Sequence, residues 1–204
     1  MTQEHLAENI IEIYRQYGRQ WTNLRGTHLY EKQWLDRFLA LLPTSSHILD
    51  LGCGSGKPIA AYLIDQGCRI TGVDSAEVML EMARSHFPDQ QWVRADMRTF
   101  SSTQKFQGIL AWDSFFHLTR SDQRDMFARF KQLSQTGTVL MFTSGPANGE
   151  SIGEMFGQPL YHASLAPEEY RFLLHQHGFQ LIHMLAEDAD CAGHTVWLAQ
   201  KQPQ

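Results

Sequence analysis

Apolar residues Leu6, Ile10, Ile13 and Tyr17 return at spacings of four, three and four, which predicts an amphipathic helix over the first 17 residues, ended by Gly18. A second helical pattern runs through Trp34, Leu35, Phe38, Leu39 and Leu42 and is closed by Pro43. From His47 the pattern changes. Short apolar runs at 47–51, 69–73, 91–94, 108–112 and 137–143 alternate with helical stretches at about 58–66, 75–86 and 121–133. Pro58 suits a first helical turn, Ser75 a helix cap, and Ser121 with Asp122 a helix start.

After Pro146 the periodicity fails. Residues 148–164 hold Gly149, Gly153, Gly157 and Pro159, which predicts a long loop, and Met155, Phe156, Leu160 and Tyr161 suggest that it forms one wall of a substrate pocket. Pro167 opens a further helix, stopped by Gly178. Runs at 179–185 and 194–199 read as the last strands, with a connection at 187–193 short enough for antiparallel pairing. The whole predicts an α/β chain: a seven-stranded, mostly parallel sheet with a terminal antiparallel strand and helices on both faces. A helical extension over 1–44 precedes the core at 45–204, all in one domain. No internal repeat or low-complexity tract appears.

Composition narrows the partners. Lys and Arg number 17 against 22 Asp and Glu, a net charge of −5, and no basic block is present. A nucleic-acid backbone needs a concentrated positive face, so nucleic acid is not the expected substrate. Cys53, Cys68 and Cys191 are odd in number and widely spaced, as free thiols of a reducing compartment are. No apolar run approaches a membrane span, and the first residues lack a basic-then-apolar leader. The expectation is a cytoplasmic protein, monomer or homodimer, with a small-molecule substrate. His175, His177 and His183 lack a carboxylate or cysteine at ligand spacing, so no metal site is expected.

The chemistry gathers where the strands end. Asp50 leads into Gly52, Gly54 and Gly56, a strand–turn–helix arrangement that brings backbone against a cofactor. A P-loop is excluded, because Leu51 and Pro58 stand at its first glycine and its hydroxyl. A dinucleotide fingerprint is disfavoured by Lys57 at its third glycine. A carboxylate at Asp50 suits an ammonium group, which S-adenosylmethionine (AdoMet) carries and a pyrophosphate does not. Asp74, eighteen positions past Gly56, is placed to bind ribose hydroxyls. Asp96 suits an exocyclic adenine amine, with Met97 against the ring.

The stretches Leu49-Asp50-Leu51-Gly52-Cys53-Gly54-Ser55-Gly56, Gly72-Val73-Asp74-Ser75, Ala95-Asp96-Met97 and Ala111-Trp112-Asp113 together resemble class I AdoMet-dependent methyltransferases over about residues 45–200. The segments from Trp112 to Leu118 and from Pro159 to Leu165 resemble a small bacterial subgroup of them. The resemblance implies a Rossmann-like fold, the cofactor AdoMet with S-adenosylhomocysteine as product, and methyl transfer to a small acceptor at N, O or S. It also implies an N-terminal extension that closes over the site. A non-catalytic module binding AdoMet or its product is the alternative, and a nicotinamide-linked oxidoreductase a weaker one.

On this reading Asp50, Gly52, Cys53, Gly54, Gly56, Asp74, Ser75, Asp96, Met97, Ala111 and Trp112 surround the cofactor, and Arg25 holds its carboxylate. Tyr14 and Trp21 belong to a lid or fasten helices together. His117 is the first candidate for a general base, or a packing histidine; Asp113 orients a substrate amine or caps the next segment. Phe116, Ser144, Tyr161 and His162 are candidates for the acceptor pocket. Replacing Asp74 by Ala is expected to weaken cofactor binding with little loss of stability.

Overall fold

The computed structural model describes residues 3–203. Its helices are α1 (Gln3–Arg25), α2 (Lys32–Ala40), α3 (Ile59–Asp65), α4 (Glu77–His86), α5 (Arg120–Leu133) and α6 (Pro167–Gln176). Its strands are β1 (His47–Leu51), β2 (Arg69–Asp74), β3 (Gln91–Arg94), β4 (Phe106–Ala111), β5 (Ser134–Ser144), β6 (Gly149–Met155), β7 (Gln158–Ser164), β8 (Phe179–Asp188) and β9 (His194–Lys201).

Seven strands form one sheet in the order β3-β2-β1-β4-β5-β9-β8. The first five are parallel; β9, last in sequence, runs antiparallel between β5 and β8. All five positions of β1 are buried, because helices cover both faces. Alternate side chains therefore feed two cores. Leu49, Leu51, Ile109 and Phe142 pack with Phe127 and Phe130 of α5 and Tyr170 of α6. Ile48, Leu110 and Met141 pack with Trp34 and Phe38 of α2, Leu63 of α3 and Leu80 of α4.

Three sequence expectations are corrected. The first helix does not stop at Gly18 but continues to Arg25. Gly18 is a contact point: a Cβ there would lie 3.0 Å from Val78 Cγ1 on α4. Ser75 caps nothing; Ala76 stands at the N-cap of α4, and its N–H donates to the Asp74 carboxylate at 2.8 Å. Residues 148–164 are not a loop but the hairpin β6–β7, paired from Gly149 with Ser164 to Met155 with Gln158. Phe156 and Gly157 both hold positive φ, 52° and 76°, the geometry of a tight two-residue hairpin turn. Met155, Tyr161 and Ala163 of this hairpin pack on Ile10 and Ile13, which seats α1 against the hairpin.

Candidate functional site

Strand order reverses at β1 and β4, and beyond their carboxyl ends lies a crevice of about 1270 Å³ counted to its open mouth. Its floor is the glycine turn. The N–H groups of Gly52 and Cys53 both donate to the Val73 carbonyl, at 2.7 and 3.1 Å. Gly52 has φ +79°, and a Cβ there would fall 2.2 Å from Ser114 Cβ. Ser114 Oγ in turn donates to the Leu51 carbonyl at 2.7 Å, so the turn closes only with glycine. Gly54 has φ +54°, and its missing Cβ has no atom within 4 Å. Burial, with Asp74 and Asp50 nearby, pushes the Cys53 thiol well up, which suits packing and not nucleophilic attack.

Two carboxylates flank the turn. Asp50 is 4 % exposed, and no cation pairs with it among the described residues. Burial, reinforced by Asp74, raises its pKa to about 7. Asp74 accepts from Gly54 N–H at 3.0 Å with Oδ2 and from Ala76 N–H with Oδ1. Burial still outweighs these bonds and raises its pKa. Asp74 thus ties the glycine turn to the start of α4, a structural duty that the sequence reading did not foresee.

Asp96 is engaged differently. Burial pushes its pKa upward, but the Arg98 guanidinium and N–H outweigh burial and hold it below the usual carboxylate range. Arg98 Nη2 lies 2.7 Å from Asp96, and Nη1 3.1 Å from Asp122. Met97 lines the same wall. Sequence reasoning missed Arg98, although an arginine two positions past Asp96 was a legible signal.

On the opposite wall α1 presents Tyr14, with Trp21 edge-on at 6.3 Å. His117 Nδ1 lies 2.8 Å from the Tyr161 carbonyl, which can only accept, so Nδ1 carries the proton. Burial lowers the His117 pKa to about 4, against the upward pull of that carbonyl. The ring is therefore neutral at pH 7, and its bare Nε2 accepts from the Tyr14 hydroxyl at 3.2 Å. A base with that pKa, its lone pair already engaged, is a weak proton acceptor.

Beside them Asp113 holds φ +48°, a left-handed conformation that Asp tolerates. Its Oδ1 lies 2.8 Å from His194 Nε2, and His194 Nδ1 lies 2.7 Å from the Cys191 carbonyl. Both ring nitrogens face acceptors, so both carry protons and His194 is an imidazolium. Burial lowers its pKa, but the Asp113 carboxylate outweighs burial and the net shift is upward. The cation lies between the Tyr30 and Trp112 rings, at 5.4 and 5.5 Å. The sequence pattern shows His194 only as the first residue of the last strand. Arg25 lines the crevice, but Nη2 is paired with buried Glu31 at 2.6 Å and Nη1 donates to the His28 carbonyl.

The remaining candidates lie elsewhere. Ala111 is wholly buried in the core and absent from the crevice wall. Phe116, Ser144 and His162 line a second cleft with Glu150 and Ser164, and Ser144 Oγ is held by Trp197 Nε1 at 2.9 Å. Tyr161 packs its ring against α1 and offers only its carbonyl to His117. The hairpin thus supports the crevice through His117 instead of lining it with Tyr161 and His162.

Residues 48–137 match the family model of a methyltransferase domain. A trans-aconitate 2-methyltransferase of Escherichia coli O7:K1 is 36 % identical over 107 residues, covering 50 % of this chain and 41 % of that protein. The chain spans about half, or less, of the length of the curated relatives it matches. Among solved structures, the Burkholderia thailandensis 1,6-didemethyltoxoflavin-N1-methyltransferase with bound S-adenosylhomocysteine superposes with a TM-score of 0.79. It is 16 % identical and covers 100 % of this chain and 92 % of that one. Magnesium protoporphyrin IX methyltransferase from Synechocystis PCC 6803, with bound SAM, gives 0.74 at 15 % identity and 97 % of each chain. Residues 48–137 thus carry the pattern of a methyltransferase domain, and the sheet that frames them has the fold of solved methyltransferases.

Proposed function

We propose that this chain binds AdoMet in the β1–β4 crevice and transfers its methyl group to a small-molecule acceptor. The observation that carries the reading is Asp50, a buried carboxylate without a cationic partner among the described residues, next to a glycine turn whose Gly54 leaves open space. A buried acid in that state fits a cationic ligand group, as the ammonium of AdoMet is. Asp74 keeps lone pairs beyond its backbone bonds for a ribose hydroxyl, and Met97 offers an apolar face to adenine. When bound, AdoMet supplies a methyl group activated on a sulfonium sulfur. Trp112, Trp21 and Tyr14 exclude water from the crevice, and aromatic faces of this kind favour a neighbouring cation.

Titration calorimetry with AdoMet, S-adenosylhomocysteine and NAD tests the reading. Saturable binding of the first two, each raising thermal stability, is expected; binding of NAD alone would overturn it. Asp50 adds a second prediction. Its raised pKa leaves it largely protonated below pH 7, and a bound ammonium favours the carboxylate. AdoMet affinity should therefore rise with pH up to about 7 and level off above it. Calorimetry at pH 6 in buffers of different ionisation enthalpy should report proton release on binding. Heats that do not change with the buffer would rule out this role for Asp50.

A further inference from the structure

The wall formed by Tyr14, His117 and the surrounding aromatic residues restricts the acceptor. The Tyr161 carbonyl fixes the His117 tautomer, and Nε2 then takes the Tyr14 hydroxyl hydrogen. With its proton committed, Tyr14 Oη keeps its lone pairs and stands in the crevice as an acceptor of hydrogen bonds. Trp21 sits edge-on to it, and Ile10, Ile11 and Trp112 line the same crevice, so the surroundings favour a flat apolar body.

The cations nearby are already committed. Arg25 is held by Glu31 and the His28 carbonyl, and Arg98 by Asp96 and Asp122. The His194 imidazolium has both N–H groups occupied and rings on either side. Lys57 is exposed and belongs to the glycine turn, not to the wall of Tyr14. Among the described residues an incoming carboxylate would find no unpaired cation on that wall, which leaves its desolvation uncompensated.

We propose that the acceptor is an uncharged, flat aromatic molecule bearing an N–H or O–H group, received by Tyr14 Oη, and that the crevice discriminates against carboxylates. This rests on the AdoMet reading and narrows it. It also separates this chain from its trans-aconitate 2-methyltransferase relatives, whose named substrate is a polycarboxylate.

The test is calorimetric binding to the full chain saturated with S-adenosylhomocysteine. Aminoquinoline and hydroxyquinoline are compared with quinoline carboxylate and trans-aconitate. Saturation by S-adenosylhomocysteine is established first; its failure would count against the cofactor reading, before any acceptor is added. The neutral probes should then bind at least roughly tenfold more tightly than the carboxylates. Tyr14→Phe keeps the ring and removes the lone pairs. It should weaken the neutral probes about five- to tenfold while S-adenosylhomocysteine affinity stays within about twofold. Tighter binding of quinoline carboxylate or trans-aconitate would overturn the proposal, as would no binding of either neutral probe at millimolar concentration. An unchanged probe affinity in Tyr14→Phe, with the cofactor product still bound, would remove Tyr14 from it.

Discussion

Asp74→Ala should lose most of its AdoMet affinity and also melt well below the wild type. Both effects come from one carboxylate with two duties. Toward the crevice it is the proposed ribose acceptor, and a hydrogen bond to a charged group contributes about 1.5–3 kcal/mol, so the dissociation constant should rise about ten- to a hundredfold. Toward the protein it accepts the Gly54 and Ala76 N–H groups. Alanine leaves both donors without a partner, at about 1–3 kcal/mol each where they remain buried. For a chain of this size that is roughly a 4–24 °C fall in melting temperature. The expectation of little lost stability, drawn from the sequence, is thereby replaced. Asp74→Asn retains one acceptor oxygen and should melt between the two while still binding weakly. Calorimetric titration and thermal melts of the three proteins read the two duties separately. Wild-type affinity in a destabilised Asp74→Ala protein would leave Asp74 a purely structural tie.

What the sequence disclosed of this architecture was local. The glycine turn, Asp50 and Asp74 fall on one strand–turn–helix and one strand end, so spacing alone locates them. Strand β1 is buried on both faces and reads as an apolar run, which is why its bounds are legible; β3, at the sheet edge, shows itself only by Trp92 and Val93 between exposed ends. The hairpin was hidden because β6 is mostly exposed, which removes the apolar alternation that marks a half-buried strand. Its Phe-Gly turn also lacks the usual Asn-Gly or Asp-Gly signature. Gly18 misled for a related reason: a glycine stops a helix or admits a neighbour, and only α4 shows which. Arg25 looked available because its partner, Glu31, lies past the helix end, across a turn that periodicity does not describe. His194 was unreadable. It meets Asp113 across 81 positions and is stacked on Tyr30 and Trp112, contacts that exist only once β9 is inserted beside β5.

That histidine supplies the second large effect. His194 carries a raised pKa in the folded chain, so the stability it contributes is fully present below its unfolded value, about 6.5, and is lost as pH rises through the folded value. His117 works in the opposite direction. Its folded pKa of about 4 lies below the unfolded value, so the stability linked to its neutrality is present above about 6.5 and is lost as pH falls toward 4. The two partly cancel in the wild-type profile, which therefore does not isolate either. His194→Gln does. Glutamine can still donate to Asp113, but it cannot carry the charge or stack as a cation, so about 2 kcal/mol of stability should disappear at pH 6. The difference between the two proteins, followed by chemical denaturation from pH 5.5 to 9, should shrink as the wild-type imidazolium deprotonates. A difference that stays flat across this range would place the shared proton on Asp113 and leave the histidine neutral. The same variant reaches the crevice, because the Asp113 carboxylate lines it and His194 is its closest partner, the bond from Tyr30 at 3.4 Å being weak. With the charge gone, Asp113 is an unneutralised acid on the proposed acceptor wall. Neutral aromatic probes should then bind more weakly to His194→Gln, most clearly at the pH where its stability deficit is largest.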